Sequence, residues 1–553
     1  MRQTGVRGPS STAVQAAKPA GLVLALAMLV AAPAVALDDP ASRVLQDTQR
    51  SAQQARDANQ PPPGGVVPTP TPRAELPPKG GAVVLLKSVT YDPPSAFLSP
   101  AELDAISAKY VGRRVDFSDI SALVRDVNDL YAKKGVVTAG AILPPQNLSS
   151  GNLTVRLVEG REGNVTVVGE HRTHNDLIFQ AVRLTRDGNI VDVPTASSDI
   201  ARFNKMHHAQ LSLLLQPGAT FGLTDLTIGV REPPPDLFQL SLDNQGVAST
   251  GETQFSAMYQ KYGLFGVDDQ IMVLGTATPG SLAGTANFDL PISSFGTRLA
   301  LGATASTIKV VAGPTAPLDI TGRSSAVTAT VTQAIYVNPA FSAIGLGTVS
   351  YGTSQSYASG TPLVDSTVTK VALGVALGYT NERFSLGAQP QLIYAMVDDH
   401  LFASRRGIVL LAGSASAEAK ITDALSWTSH GAWQYTQEKL LPGSLLFQIG
   451  GFDSVRGYPS DGVGGDSGFF IQNELHWLKS DQVGGIDLYA LADFGQVYST
   501  FPTVTTMASI GAGWTATLSD RAALDVSAAI PVIPAVAGQP SLAAYAKLTG
   551  TFR

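Results

Sequence analysis

The chain has 553 residues and a net charge of −6, and only 15% of its side chains are charged, against about 25% in an average soluble protein. A mild acidic excess provides no basic surface for nucleic acid, so we expect no nucleic-acid partner. The absence of cysteine excludes a disulfide framework and a thiolate metal site. We expect neither a cofactor nor a bound metal.

The first 36 residues have the layout of a secretory signal peptide. Three basic residues accompany the apolar run at 20–36, AGLVLALAMLVAAPAVA, which ends in the small-x-small pattern Ala34-Val35-Ala36. This order of charged, apolar and small residues is typical of a cleaved leader. A membrane anchor is the alternative, but the run is short and contains Pro33, and no later segment resembles a helical membrane span.

Two unusual segments follow the leader. Residues 37–60 are polar and compatible with a helix, and they contain few large apolar side chains, among them Val44 and Leu45. Such a helix cannot bury a face in an apolar core, so disorder and a helix in a wet cavity are both open interpretations. Residues 61–81 are rich in proline and predict an extended, semi-rigid linker.

Residues 82–160 and 161–235 predict two small α/β units with the order strand, helix, helix, strand, strand. In the first unit, Ser99 and Glu102 have the spacing of a capping box, which predicts that a helix begins there. A second helix is expected after Asp116, where apolar residues recur at helical spacing. The second unit repeats this order more loosely.

From about residue 236 the hydrophobic pattern changes to a period of two. In TKVALGVALGYT, residues 369–380, large apolar residues alternate with small or polar ones. Soluble sandwiches alternate as well, but a long secreted region without a domain break favours a membrane barrel. Residues 236–553 allow about 16 antiparallel strands at roughly 20 residues per strand and connection. They must close into a ring, because an open edge in lipid leaves backbone groups unpaired.

A glycine-rich stretch at residues 450–470 carries Arg456 just before a predicted strand. Alternation places Glu474 and His476 of that strand, and Asp493 of the next strand, toward the barrel lumen. The arginine side chain has a planar fork of donors that matches a carboxylate, so a loop folded inward can pair Arg456 with Asp493. A mobile surface loop with a solvated arginine is the alternative.

Four motifs resemble those of two-partner secretion transporters (TpsB, haemolysin activator/haemagglutinin transporter type) of the outer-membrane assembly and transport superfamily. The loop motif is Val455, Arg456, Gly457 and Tyr458, and its partner strand motif is Asp493 with Gly495, where Leu491 replaces the usual aromatic residue. The first barrel strand and hairpin resemble the family at Asp243, Asn244, Gly246, Thr250 and Gly251. The first small unit is similar to a polypeptide-transport-associated (POTRA) domain at Pro144, Pro145, Gln146, Gly151, Leu153, Glu159 and Gly160.

The resemblance covers residues 37–553 and implies a 16-stranded outer-membrane β-barrel behind two periplasmic POTRA domains of βααββ type and a pore-plugging helix. The implied divisions are a signal peptide at 1–36, a plug helix at 37–60, a linker at 61–81, POTRA 1 at 82–160, POTRA 2 at 161–235 and the barrel at 236–553.

The family also implies a function. Its members bind an unfolded exoprotein of adhesin or haemolysin type through the periplasmic domains and export it through the barrel, without nucleotide and without enzyme activity. The implied partners are this exoprotein and outer-membrane lipid. In the family the loop arginine contacts the strand aspartate, so we expect Arg456 to contact Asp493. In a wet lumen this pair contributes about 1 kcal/mol or less, and its expected role is to hold one loop position.

Other functions are open to weaker hypotheses. A barrel-assembly factor is the alternative within the superfamily, although such factors usually carry more periplasmic domains and no plug, and an ordinary porin lacks the paired motifs. Asp493-Phe494-Gly495 spells a kinase motif, but no phosphate loop accompanies it. His171, His174 and the pair His207-His208 lack the carboxylate or thiol spacing of a metal site, and we expect surface histidines of the small domains.

Overall fold

The computed structural model describes residues 40–58, 66–68, 77, 79–80, 82–477, 484–500, 502–536 and 538–553. The predicted signal peptide at residues 1–36 lies outside these residues. Helix α1 (Pro40–Ala58) and the short strand β1 (Val66–Pro68) precede two small domains and a closed barrel. None of the described helices has the length and hydropathy that a membrane span requires.

The first small domain contains two helices packed on a three-stranded sheet. Its elements are β2 (Val84–Leu85), β3 (Ser88–Asp92), α2 (Pro100–Ser107), β4 (Arg114–Val115), α3 (Phe117–Lys133), β5 (Ala139–Ile142) and β6 (Asn152–Glu159). The sheet order is β3-β6-β5, with β3 parallel and β5 antiparallel to β6. Capping boxes at Ser99 and Asp116 begin the two helices, as the sequence predicts, because each cap satisfies backbone N–H groups that have no helical partner.

The second small domain repeats this plan. Its elements are β7 (Arg161–Val168), α4 (Asn175–Ala181), β8 (Thr185–Arg186), β9 (Ile190–Val191), α5 (Val193–Met206), β10 (Gln210–Pro217) and β11 (Leu223–Arg231). The sheet order is β1-β10-β11-β7-β9-β8, so the strand of the proline-rich linker lies at one edge, parallel to β10. Linker pairing with this sheet is a feature that the sequence pattern does not predict.

The barrel closes with 16 antiparallel strands, which matches the predicted number. They are β12 (Asp236–Asp243), β13 (Gln254–Tyr262), β14 (Gln270–Thr278), β15 (Ser281–Ser293), β16 (Thr297–Lys309), β17 (Ile320–Val337), β18 (Phe341–Ala358), β19 (Thr361–Thr380), β20 (Phe384–Asp399), β21 (Ser404–Lys420), β22 (Leu425–Tyr435), β25 (Ser467–Trp477), β26 (Ile486–Tyr498), β27 (Val504–Ser519), β28 (Ala522–Pro531) and β29 (Ala543–Phe552). Two short strands, β23 (Phe447–Ile449) and β24 (Val463–Gly465), pair within the loop between β22 and β25. The first and last barrel strands pair with Phe238 opposite Phe552.

Alternation along the strands separates the two barrel surfaces. On β26, Ile486 and Phe494 are exposed on the outer face, whereas Leu491 and Asp493 are buried on the inner face. Since β12 starts directly after the second small domain, every second connection lies on the side of that domain and the β22–β25 loop lies at the opposite end. Helix α1 lies inside the barrel against β14 to β18.

Candidate functional site

Residues 436–466, called the inward loop below, fold back into the barrel and are anchored there by an apolar cluster. The cluster combines loop and wall side chains: Leu441, Leu445, Leu446, Phe447, Ile449, Val455 and Tyr458 with Ile393, Ile408, Leu410, Val497 and Met507. The alternative of a mobile surface loop is therefore wrong. The expectation of a wet lumen is wrong where the apolar part of the loop covers the wall, because the inward positions there, such as Ile393, Ile408 and Leu410, are apolar and buried.

Arg456 of the inward loop contacts two carboxylates of the inner wall. Its Nε and Nη2 donate to the two oxygens of Asp493 at 2.7 and 2.8 Å, and its backbone N–H donates to Asp493 Oδ2 at 3.1 Å. Its Nη1 donates to Glu474 Oε1 on the neighbouring strand. The guanidinium thus bridges β25 and β26 and fixes the loop against both.

Burial changes the energy expected of this pair. The side chains of Arg456 and Asp493 are 3% and 0% exposed, so the expectation of a weak, solvent-screened pair is wrong. Removing one partner of such a buried pair leaves the other charge without compensation, which costs about 3–5 kcal/mol. The apolar cluster around the loop is the physical cause, since it excludes the water that would otherwise screen the charges.

The remaining motif residues fit the loop to the wall. A methyl group on Gly495 would lie 2.8 Å from Val455 Cγ2, so glycine is required for this close approach. Gly457 has a φ of +92°, which favours glycine, and its N–H donates to Tyr545 Oη at 2.9 Å. Tyr458 is buried, and its hydroxyl oxygen lies 2.9 Å from Ala508 O and 2.8 Å from Ile533 O, to one of which it donates, while it accepts from Ala508 N.

The ionic network extends beyond the residues that the motifs indicate. His476 Nε2 lies 3.1 Å from Glu474, and its Nδ1 lies 3.0 Å from Asp487 on β26. Strand alternation placed Glu474 and His476 toward the lumen, and the same rule places Asp487 there, but it cannot show which neighbours meet across two strands. The sequence therefore indicated their direction and missed their partnership.

The first-strand motif lies at the barrel seam. The side chain of Asn244 donates to Ala544 O at 2.9 Å and accepts from Ala546 N at 2.8 Å, so it pairs with the last strand, β29. Ser460 of the inward loop donates to Gly246 O at 2.8 Å. The remaining motif residues shape the connection between β12 and β13. Asp243 accepts from Gln245 N, Thr250 is buried, and a methyl group on Gly251 would lie 2.6 Å from Pro279.

Residues 41–50 of helix α1 contact the barrel wall through several polar side chains. Ser42 Oγ donates to Ser354 Oγ at 3.1 Å, and Gln49 Nε2 donates to Thr304 Oγ1 at 3.3 Å. Arg43 lies 3.6 Å from Asp461 of the inward loop. Among residues 41–50, Ala41 and Val44 belong to a small apolar cluster with the wall. Of the two interpretations of this segment, the structure has a helix in the lumen.

Comparison with known proteins shows the family. Residues 222–516 match the family of haemolysin secretion/activation proteins ShlB/FhaC/HecB, and residues 85–160 match the ShlB-type POTRA domain. The chain belongs to the ShlB/FhaC/HecB family. This is a family of membrane transporters and not a family of enzymes.

Individual relatives agree with this assignment. The chain is 25% identical over 439 residues to the outer membrane transporter CdiB of Dickeya dadantii, with 76% of this chain and 77% of that protein covered. It is 25% identical over 197 residues to the hemolysin transporter protein ShlB of Serratia marcescens, with 36% and 33% covered. The solved structure of CdiB from Escherichia coli has the same fold, with a TM-score of 0.72, 19% identity, and 94% of this chain and 100% of that chain covered.

The family places this two-partner secretion transporter in the outer membrane with its small domains in the periplasm. The inward loop is therefore connected to the barrel at the cell surface, and the residues of α1 near Ala41 lie toward that surface, because Ala41 O accepts from Ser306 near the far end of β16. The partner of the transporter is, in general terms, a secreted exoprotein.

The POTRA motif residues have structural roles in the first small domain. Glu159 accepts from Ser95 Oγ, Ala96 N and Tyr131 Oη, which ties β6 to the loop before α2. Gln146 follows Pro144 and Pro145, and its side chain bonds both backbone groups of Thr154. Leu153 is buried, Gly151 lies with a φ of +80° against Leu85 O, and Gly160 contacts Thr138 where the two domains join.

The expectation that His207 and His208 are surface residues is wrong. Both are buried where the second small domain meets the barrel, with His207 Nδ1 2.9 Å from Asp268 and His208 Nε2 2.9 Å from Asp289. Arg298 of β16 donates to both carboxylates. Burial lowers the pKa of His207. Arg298 and the histidines hold the pKa of Asp268 well below its ordinary value, although burial alone would raise it.

This joint also has an apolar part. Met206, the last residue of α5, packs against Ile344, Leu346 and Ala376 of the barrel mouth. The ring of Phe203 stacks on His207 with centroids 3.9 Å apart. The sequence offered no indication of this joint, because the partners of His207 and His208 lie in the barrel, far from the two histidines along the chain.

Proposed function

We propose that this transporter exports one large secreted protein of adhesin or haemolysin type, which arrives unfolded and is bound by the periplasmic domains through strand addition. The names of the relatives support a cargo of this class, since they include a hemolysin transporter protein. The second small domain contacts the barrel mouth through Met206, so a chain bound there would be received beside the pore.

The observation that carries this proposal is the contrast between the two occupants of the lumen. Contacts of α1 with the wall are largely hydroxyl and amide hydrogen bonds, which water replaces at little net cost, about 0.5–1.5 kcal/mol each. The inward loop is held instead by a buried apolar cluster and a buried ionic network. We propose that α1 is the removable plug and that the loop is a fixed part of the channel.

The proposed role of Arg456 and Asp493 follows from their position. They fix the tip of the inward loop to the wall beside the path that an exported chain would take. Gly495 and Tyr458 hold the same loop by close packing and by hydrogen bonds to β27. These residues position the channel and take no part in bond-making chemistry.

Mass spectrometry of culture supernatant and outer membranes tests the proposal, with the parent, a deletion strain and an Arg456→Ala strain compared. We expect the deletion strain to lack one large secreted protein while its other barrels keep their levels. A general fall in outer-membrane barrels would instead indicate an assembly factor, and an unchanged supernatant would contradict export.

A further inference from the structure

The two small domains are joined by a single residue between consecutive strands. Gly160 lies between the end of β6 at Glu159 and the start of β7 at Arg161. Its N–H donates to Thr138 O at 3.0 Å, and its carbonyl accepts from Val191 N at 2.9 Å, so it makes one bond to each domain. Glycine has no side chain to restrict its backbone, and relative domain motion is the default unless an interface prevents it. A fixed angle between the two domains therefore needs a second point of contact.

Arg186 of β8 provides this second contact. Its Nη1 donates to Ala96 O of the first domain at 2.8 Å, and its guanidinium carbon lies 4.2 Å from the centre of the Phe97 ring. The contact thus combines a charge-assisted hydrogen bond with a cation–π interaction. Both partners belong to the loop between β3 and α2.

The second domain holds Arg186 in the orientation that this contact requires. Its Nε and Nη2 donate to Asp192 Oδ2 at 3.0 and 2.6 Å, and Asp192 is buried. Asp192 also accepts from Thr195 N at the start of α5, so the helix that it caps fixes its position. Because the guanidinium is a rigid plane, two nitrogens held by the second domain aim Nη1 at the first domain.

The first domain holds the other side of the contact. The N–H of Ala96 donates to the Glu159 carboxylate at 3.0 Å, while the carbonyl of Ala96 accepts from Arg186. Tyr131 Oη donates to the same carboxylate at 2.8 Å, and Phe97 packs against the core of the first domain. The loop is therefore fixed from within its own domain before Arg186 contacts it.

This joint continues a connection that begins at the barrel. The second domain is fixed to the barrel by the buried contacts of His207 with Asp268 and of His208 with Asp289. Arg186 then fixes the first domain to the second. Two successive joints thus set the distance of the first domain from the pore entrance.

We propose that Arg186 is a positioning residue for export, which fixes the first small domain on the second so that a bound exoprotein segment is presented to the pore at one distance and angle. This inference rests on the proposed export function. The two domains have separate apolar cores, so loss of the contact leaves each domain folded and lets the first domain turn about Gly160. A segment bound to the first domain then reaches the pore in many orientations, and fewer chains enter it.

Distances between spin labels test the joint in the purified full-length transporter. The chain contains no cysteine, so Ala105→Cys on α2 and Gln180→Cys on α4, both at exposed positions, place one label on each domain. We expect a narrow distance distribution in the parent and a broad one with Arg186→Gln, because loss of one charge-assisted hydrogen bond shifts the equilibrium of the joint by about 10–100-fold. A second label pair, Gln180→Cys with Glu382→Cys in a periplasmic turn of the barrel, should stay narrow in both proteins.

Two further variants separate positioning from folding. Phe97→Leu removes the aromatic ring from the contact but keeps the bonds between Arg186 and Asp192, so we expect a smaller broadening of the same distribution. Arg183→Gln is the matched control, because Arg183 pairs with Asp199 at 2.8 Å inside the second domain. This control should keep the narrow distribution and the parental level of secretion.

A chemical crosslink supplies a result that loss of folding cannot imitate. The Ala96→Cys/Arg186→Cys variant lacks the contact and should secrete about tenfold less of the protein that the deletion strain lacks. Joining the two cysteines with a short bis-maleimide should restore secretion toward the parental level. The two single-cysteine variants, treated in the same way, should gain nothing.

The outcomes distinguish the two proposals. A narrow distribution across the joint in both Arg186→Gln and Phe97→Leu overturns the joint. A broad distribution with parental secretion, or no recovery after crosslinking, overturns the role of Arg186 in export while the export function stands. If the deletion strain lacks no secreted protein, the export function fails and the role of Arg186 in export fails with it.

Discussion

Replacing Arg456 by alanine tests how the inward loop is held. The variant keeps the backbone hydrogen bond to Asp493 but removes the bonds at 2.7 and 2.8 Å and the contact with Glu474. Asp493 then remains buried without a cation, while Glu474 keeps its contact with His476. Breaking a buried pair in this way costs about 3–5 kcal/mol, which shifts the equilibrium between a docked and a released loop by about 10²–10⁴-fold.

The barrel itself should survive this change, because its closed ladder of 16 strands does not involve the loop. A cysteine at position 455 reports loop release, since Val455 is 0% exposed and the parent chain has no cysteine. We expect a membrane-impermeant maleimide to label Val455→Cys slowly alone and far faster together with Arg456→Ala. Secretion should fall strongly while the heat-modifiable folded barrel keeps its normal level.

Two further variants check the cause. Arg456→Lys keeps the charge but loses the planar fork, so we expect an intermediate effect from the loss of charge-assisted hydrogen bonds of about 1.5–3 kcal/mol each. Asp493→Asn combined with Arg456→Ala should cost less than the sum of the single changes, because the two residues share one interaction. Unchanged labelling and normal secretion in Arg456→Ala would refute the reasoning.

The other expectations concern packing, the seam, the plug and the joint. Gly495→Ala should displace the loop at a cost of about 1–3 kcal/mol and reduce secretion. The control is Gly275→Ala, whose added methyl group meets nothing within 4 Å and which should leave secretion unchanged. Equal secretion by the two variants would contradict the close-packing argument. Asn244→Ala removes two side-chain hydrogen bonds to β29 and should lower the temperature at which the barrel unfolds in detergent, more than a change inside the sheet such as Asn473→Ala. Deletion of residues 38–60 should raise single-channel conductance in planar bilayers, and an unchanged conductance would mean that α1 is not a plug. Arg298→Met removes the arginine that bridges Asp268 and Asp289 where the second domain meets the barrel, which costs about 3–5 kcal/mol. We expect faster proteolysis between the second domain and the barrel. The control is Arg323→Met, at an exposed position.

Local chemistry accounts for what could be predicted. Ser99 and Asp116 begin helices because a cap needs only residues three positions away. The period of two beyond residue 236 predicts strands because side-chain direction alternates along any strand, and the length of this region without a domain break favours a membrane barrel over a sandwich. The direction of Asp493 followed from the same rule, and its partner Arg456 was expected only because two motifs matched a known family.

Contacts between distant segments account for what was missed. Alternation shows that Ile393 and Leu410 share the inner face of their strands, but it cannot show that the inward loop will cover them and bury them in an apolar cluster. The error about His207 and His208 has the same origin, since their partners Asp268 and Asp289 lie about 60 to 80 residues later in the chain. The weak energy expected of Arg456 and Asp493 was wrong because burial depends on neighbours and not on the pair.

The sequence by itself determined the two small α/β units, the membrane barrel and the direction of its inner side chains, since each of these follows from composition or from short-range periodicity; the leader at residues 1–36 stays a prediction. Only the tertiary structure decided that α1 lies in the lumen on polar contacts, that the inward loop is buried, and that Val66–Pro68 closes the edge of β10. The physical reason is that these features depend on which surfaces meet when the barrel closes. The hydrophobic pattern of a strand shows which side chains share a face, but it does not show which distant segment covers that face.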